Sequence, residues 1–176
     1  MLIDDFRTEY KRYRALGERA MAQTPDHALN VLPGVEANSM AMIVRHMSGN
    51  FVSRFTDFLT TDGEKPDRDR DREFDERQYT RPEMDALWAR GWAVLEGQLQ
   101  ALQDADLDRT VTIRRQPLTV HAALSRSLAH VAYHVGQLVL LGRMHAGDGW
   151  QSLSIPRGQS EAYNRAPTGE KGPRAR

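Results

Sequence analysis

The chain has 176 residues, 40% of them hydrophobic, which suits one domain with a sizeable core. Its 24 Lys and Arg balance its 24 Asp and Glu, so it lacks the basic surface that a phosphate-backbone binder needs. It has no cysteine, which excludes disulfides, a thiolate zinc site and any thiol nucleophile of its own.

Residues 2–23 read as a helix, with Leu2, Phe6, Tyr13, Leu16 and Ala20 on its apolar face. The stretch TPDHALNVLPGVEAN is a loop, after which Asn38 or Ser39 caps a second helix over 39–60. Met40, Val44, Met47, Phe51, Phe55 and Phe58 form its stripe. DGEKP is a turn, and DRDRDREFDER alternates in sign, so it reads as a solvated segment whose charges pair with each other. Thr80-Arg-Pro-Glu83 is a capping box that opens a third helix over 81–104, with Met84, Trp88, Gly91, Leu95, Leu99 and Leu102 inward.

RTVTIRRQPLTV is rich in Val, Thr and Ile and predicts a short β-hairpin or an extended crossover. Thr119 then caps a fourth helix over 120–145 with Leu124, Leu128, Val131, Val135 and Leu138 in its core stripe. Trp150, Leu153, Ile155 and Tyr163 suggest an arm packed on the body, so the expected domain is 1–164 and 165–176 a flexible tail. Four amphipathic helices with one long crossover predict an all-α four-helix bundle. No run approaches the roughly 20 apolar residues of a membrane span, and the N-terminus has no secretory pattern, so the expected setting is the cytoplasm.

In HVAYHVGQ, His130 and His134 stand four apart, which puts both rings on one helix face beside the apolar stripe. Buried there, they need hydrogen-bond partners or a metal ion. His46, on an inward edge of the second helix, is the best third ligand. His27, His121 and His145 sit in a loop or at helix ends. Three imidazoles would leave a coordination position open, as catalytic sites do. The alternative is a pair of core histidines and one unrelated histidine.

The segments IVRHMSGNFVSRFTDFLTTDGEKP, HVAYHVGQLVLLGRM and LSIPRGQS, with the helices between them, resemble the DinB/YfiT-like superfamily of metal-binding bundles. Within it, the chain is similar to a DinB-related bacterial family of unknown function. The resemblance implies an up-down-down-up bundle and a zinc or nickel ion on His46, His130 and His134. It also implies a homodimer. Relatives use low-molecular-weight thiols, and some carry Glu where this chain has His130.

Three functions follow as expectations. The first is an enzyme acting on a small-molecule substrate, with a metal that activates an external thiol as in an S-transferase. Asn50 and Gln137 would orient ligands or substrate, and Arg54 would attract a carboxylate. The plain alternatives are a backbone bond for Gln137 and an Arg54–Asp57 pair one turn apart. Arg157, in SIPRGQS, would reach an anionic substrate or simply dock the arm. The second function is a metal-dependent hydrolase, which needs a base that helices 2 and 4 do not offer. The third is a non-catalytic dimeric stress protein that binds a metal or small ligand. Neither a nucleic-acid nor a membrane partner is expected.

Overall fold

The structure, a computed structural model, describes residues 2–167. The chain is mostly helical. Four long helices, α1 (Leu2–Ala22), α2 (Met40–Phe55), α3 (Arg81–Ala101) and α4 (Val120–Ala146), are followed by a short α5 (Ser160–Arg165). Strands β1 (Thr110–Ile113) and β2 (Gln116–Thr119) form an antiparallel hairpin before α4, pairing Thr110 with Thr119 and Ile113 with Gln116. Among the described residues, no helix is long and apolar enough to cross a membrane.

The expected caps are in place. Ser39 accepts from the Met42 amide, Thr119 accepts from the Ala122 amide, and Thr80 and Glu83 form a reciprocal box with Pro82 in the first turn. These bonds satisfy amides that a helix start leaves without partners. The second helix is shorter than its stripe predicts. It ends at Phe55, because Asp57 adopts φ 49° and its carbonyl accepts the amides of Thr60 and Thr61. Phe58 stays buried beyond that break, so the apolar spacing was right about burial and wrong about helix.

α2 lies mainly against α3, and α1 mainly against α4. The stripes of helices 2, 3 and 4 are the core, with Trp92 and Tyr10 among its largest enclosed side chains. Burying such side chains contributes about 1.5–3 kcal/mol each. Leu2, expected inward, is exposed, and Ile3 fills the buried position instead. Gly91 lets α3 close on α2, since a Cβ there would lie 2.7 Å from Ser48 Cα. Trp150 and Leu153 pack against the core, and the amide of Gln151 donates to Gln23 (2.7 Å), so the first part of the arm lies on the body. Ile155 is exposed. From residue 168 on, the expected flexible tail lies outside the described residues.

Candidate metal centre

α2 presents His46 and α4 presents His130 and His134 to a common point. The Nε2 atom of His130 lies 3.1 Å from Nε2 of His46 and 3.1 Å from Nε2 of His134. Ligand atoms of the three side chains all fall within 4.8 Å of one another. Tetrahedral bonds of roughly 2.0–2.1 Å would set neighbouring nitrogens about 3.3 Å apart, so the spacing suits a small divalent ion.

The outer nitrogens are held by acceptors. His46 Nδ1 faces Glu73 Oε2 at 2.8 Å, and His134 Nδ1 faces Gln137 Oε1 at 2.8 Å. Each acceptor draws the ring proton to Nδ1 and leaves a lone pair on Nε2 pointing inward. His130 Nε2 carries at most one proton and meets two such lone pairs, while its own Nδ1 is buried without a partner. Burial, reinforced by His134 and His46, pushes the His130 pKa down to about 3. Burial pushes His134 down to about 4, against the Gln137 bond that favours the charged form. Both rings are therefore neutral at pH 7, the state that ligates a metal. The donor set fits a divalent cation.

Glu73 was not a sequence candidate. It comes from DRDRDREFDER, whose residues were expected to be solvated, and most of them are. Glu73 and Arg68 are the exceptions. Both side chains are buried and joined by a two-pronged pair, Nε to Oε1 at 2.8 Å and Nη2 to Oε2 at 2.8 Å. Burial raises the Glu73 pKa, but the bonds from His46 and Arg68 outweigh it and hold the carboxyl below its usual range. The one sequence signal was Phe74, a lone aromatic in a charged run, whose ring packs on His46 at 4.8 Å between centroids.

A family model described as "Protein of unknown function (DUF1572)" matches residues 1–159. The chain belongs to that family. The match spans both helices that carry the histidines, the Glu73 segment and the docked arm, and it stops just before α5. No curated protein and no solved structure matches the chain.

The other expected residues divide. Gln137 reaches His134 and also donates to the Tyr133 hydroxyl (3.4 Å), so it orients a ring rather than bonding to a neighbouring backbone. Asn50 lines the cavity beside His46 but, among the described residues, bonds to none of the three rings. Arg54 does not pair with Asp57, which lies beyond the helix end in a left-handed conformation. It bonds instead to Glu64 (3.0 Å) and to the Gly63 carbonyl. Arg157 is exposed in the arm and does not line the cavity beside the histidines.

The cavity beside the rings has a volume of about 180 Å³ and touches His46 and His130. Its described walls include no Asp or Glu. A wider groove of about 590 Å³ lies across the Glu64–Glu73 segment and reaches none of the imidazoles.

Proposed function

We propose that this protein is a metal-dependent enzyme of DinB/YfiT-like architecture, a four-helix bundle running up-down-down-up with a long crossover. It holds a divalent ion, zinc or nickel, on His46, His130 and His134, and joins an external low-molecular-weight thiol to an electrophilic small molecule. The observation that carries this reading is the convergence of three Nε2 atoms whose outer nitrogens are held by Glu73 and Gln137, beside a cavity walled by arginines.

When bound, such an ion supplies a Lewis acid that favours the deprotonated form of a thiol. The chain's own residues set the conditions. Glu73 and Gln137 fix the tautomers of His46 and His134. The arginine side chains favour an anion over its neutral acid in the cavity. The thiol must come from outside, because the chain has no cysteine. The hydrolase reading is weaker: Glu73 is the inward carboxylate, but Arg68 engages both its oxygens and His46 engages one, so it orients rather than accepts a proton. We read the assembly as a cytoplasmic homodimer. Support comes from Tyr133, Leu140 and Met144, which form an exposed apolar stripe on α4.

The test is elemental analysis of untagged protein, with melting curves in the presence and absence of a chelator and a screen of thiols against a model electrophile. Bound ion should raise the melting temperature by mass action. His46→Ala, His130→Ala or His134→Ala should remove most of the metal, whereas Ala at His27, His121 or His145 should leave it. A wild type that binds no ion, or a His134→Ala protein with a full complement, overturns the metal centre. Metal-loaded protein that consumes the electrophile with none of the thiols overturns the transferase reading alone.

A further inference from the structure

The cavity beside the triad carries more positive charge than the structure neutralises. Arg54, Arg68, Arg70, Arg114 and Arg126 all line it. Glu64 bonds Arg54 at 3.0 Å and Arg114 at 2.8 Å, and Glu73 engages Arg68. Among the described residues, Arg70 and Arg126 have no comparable partner. Arg70 lies over the Phe74 ring at 5.2 Å, and its ion pair is a 3.8 Å approach to the solvent-exposed Asp71. Arg126 forms no ion pair among the described residues and stands one turn before His130 on α4.

A buried hydroxyl on α4, between Arg126 and His130 in the chain, lines the same cavity. Ser127 Oγ lines the cavity without a well-formed hydrogen bond; its loose contact is with the Tyr10 hydroxyl, which gives its own proton to the Leu124 carbonyl (3.0 Å). A buried polar group without a well-formed bond is costly, and one at the wall of a cavity shared with weakly paired guanidiniums is placed to donate to an anion. Guanidinium is also the side chain best shaped to grip a carboxylate or phosphate by two parallel bonds.

We infer that the cavity takes a small anionic molecule, with its carboxylate or phosphate held by Arg70 and Arg126 and by the Ser127 hydroxyl, and its other end against His46 and His130. The volume, equal to roughly six waters of liquid, suits a small metabolite and not a peptide or nucleic acid. This inference rests on the proposed metal centre only for which end of the molecule reacts. The anion subsite belongs to the arginines and Ser127.

Calorimetric titration of metal-free wild type with succinate, with inorganic phosphate and with neutral succinamide separates the two. Using metal-free protein excludes an anion that merely ligates the ion. Succinate or phosphate should bind, the stronger of the two marking the substrate as carboxylate or phosphate ester, and succinamide should not. Arg70→Gln and Arg126→Gln should each weaken anion binding by at least about tenfold, the loss of one charge-assisted bond. After reloading, both variants should keep wild-type metal content, because neither residue touches a ligand nitrogen. The subsite is overturned if succinamide binds as well as succinate, if neither anion binds, or if both variants bind as wild type does. A chain that binds the anion but no metal would overturn the metal centre and leave the subsite standing.

Discussion

Glu73 Oε2 lies 2.8 Å from His46 Nδ1, although 27 positions of chain separate the two residues and one of them sits in a run of alternating charges. That contact ties the loop to α2 and sets the orientation of one of the three converging rings. Glu73→Gln should therefore weaken metal binding by about 10–100-fold, the usual effect of losing a partner behind a ligating histidine. Glu73→Ala should also cost stability, on the order of 3–5 kcal/mol, because Arg68 would keep a buried charge with only Glu64, 3.9 Å away, to answer it. Chelator competition and denaturant titration measure the two effects separately.

Gly49 makes room for that carboxylate. A Cβ at this position would lie 2.2 Å from Glu73 Oε1 and 2.8 Å from its Cδ. Gly49→Ala should loosen metal binding to the level of Glu73→Gln. The double variant should bind no more weakly than either single one, since both changes break the same contact. An exposed helix interior would gain about 0.5–1 kcal/mol from Gly to Ala. A net loss of stability in this variant would report the clash directly.

The metal-free protein should weaken in mild acid. His130 and His134 have folded pKa values near 3 and 4, below the ordinary value of 6.5, so the unfolded chain takes up protons first. Their contribution to stability is complete above about pH 6.5 and declines as the pH falls from there toward 4. Melting temperatures recorded in chelator between pH 7.5 and about 4.5 should show this slope, and the double variant His130→Gln, His134→Gln should flatten it. A wild-type curve as flat as the variant's would contradict the burial of neutral rings.

The β1–β2 turn offers a separate test. Arg114 and Arg115 both adopt positive φ, 55° and 61°, a conformation that two-residue hairpins usually reserve for Asn and Gly. Asp62 offsets the strain by accepting both of their amides, at 2.9 and 2.8 Å, as well as that of Glu64 at 2.7 Å. These amides hold the Asp62 carboxyl far below its usual pKa. Asp62→Ala should cost about 0.5–1.5 kcal/mol through the lost acceptor, since water can reach the freed amides of the turn. Arg115→Gly should stabilise the protein by up to about 1 kcal/mol, because glycine meets no steric penalty there. Denaturant midpoints of both variants check the opposite signs.

The helices and the histidines were legible because both rest on local spacing. The i, i+4 pair sits beside a stripe of Leu and Val, and His46 sits inside its own apolar stretch, so periodicity alone brought them inward. Glu73 was not legible, since the acidic residues of DRDRDREFDER look alike in composition and only the return of the loop onto α2 selects one of them. The Arg54–Asp57 pairing failed for a related reason. It assumed a helix that continues past Phe55, whereas the backbone at Asp57 turns away and leaves Arg54 to Glu64, a residue ten positions on. Gln137 was found because its partner lies three residues back on the same helix.

The pairing of α2 with α3 and of α1 with α4 divides the interior into two layers, and the three imidazoles lie across the seam between them. A slip of one layer along the other by a single helical residue would move a ligand by about 1.5 Å. Coordination distances tolerate only about 0.2 Å. An ion at the seam would therefore act as a vernier: it would bind only when the layers are in phase, and its occupancy would read out their alignment from one point inside the protein.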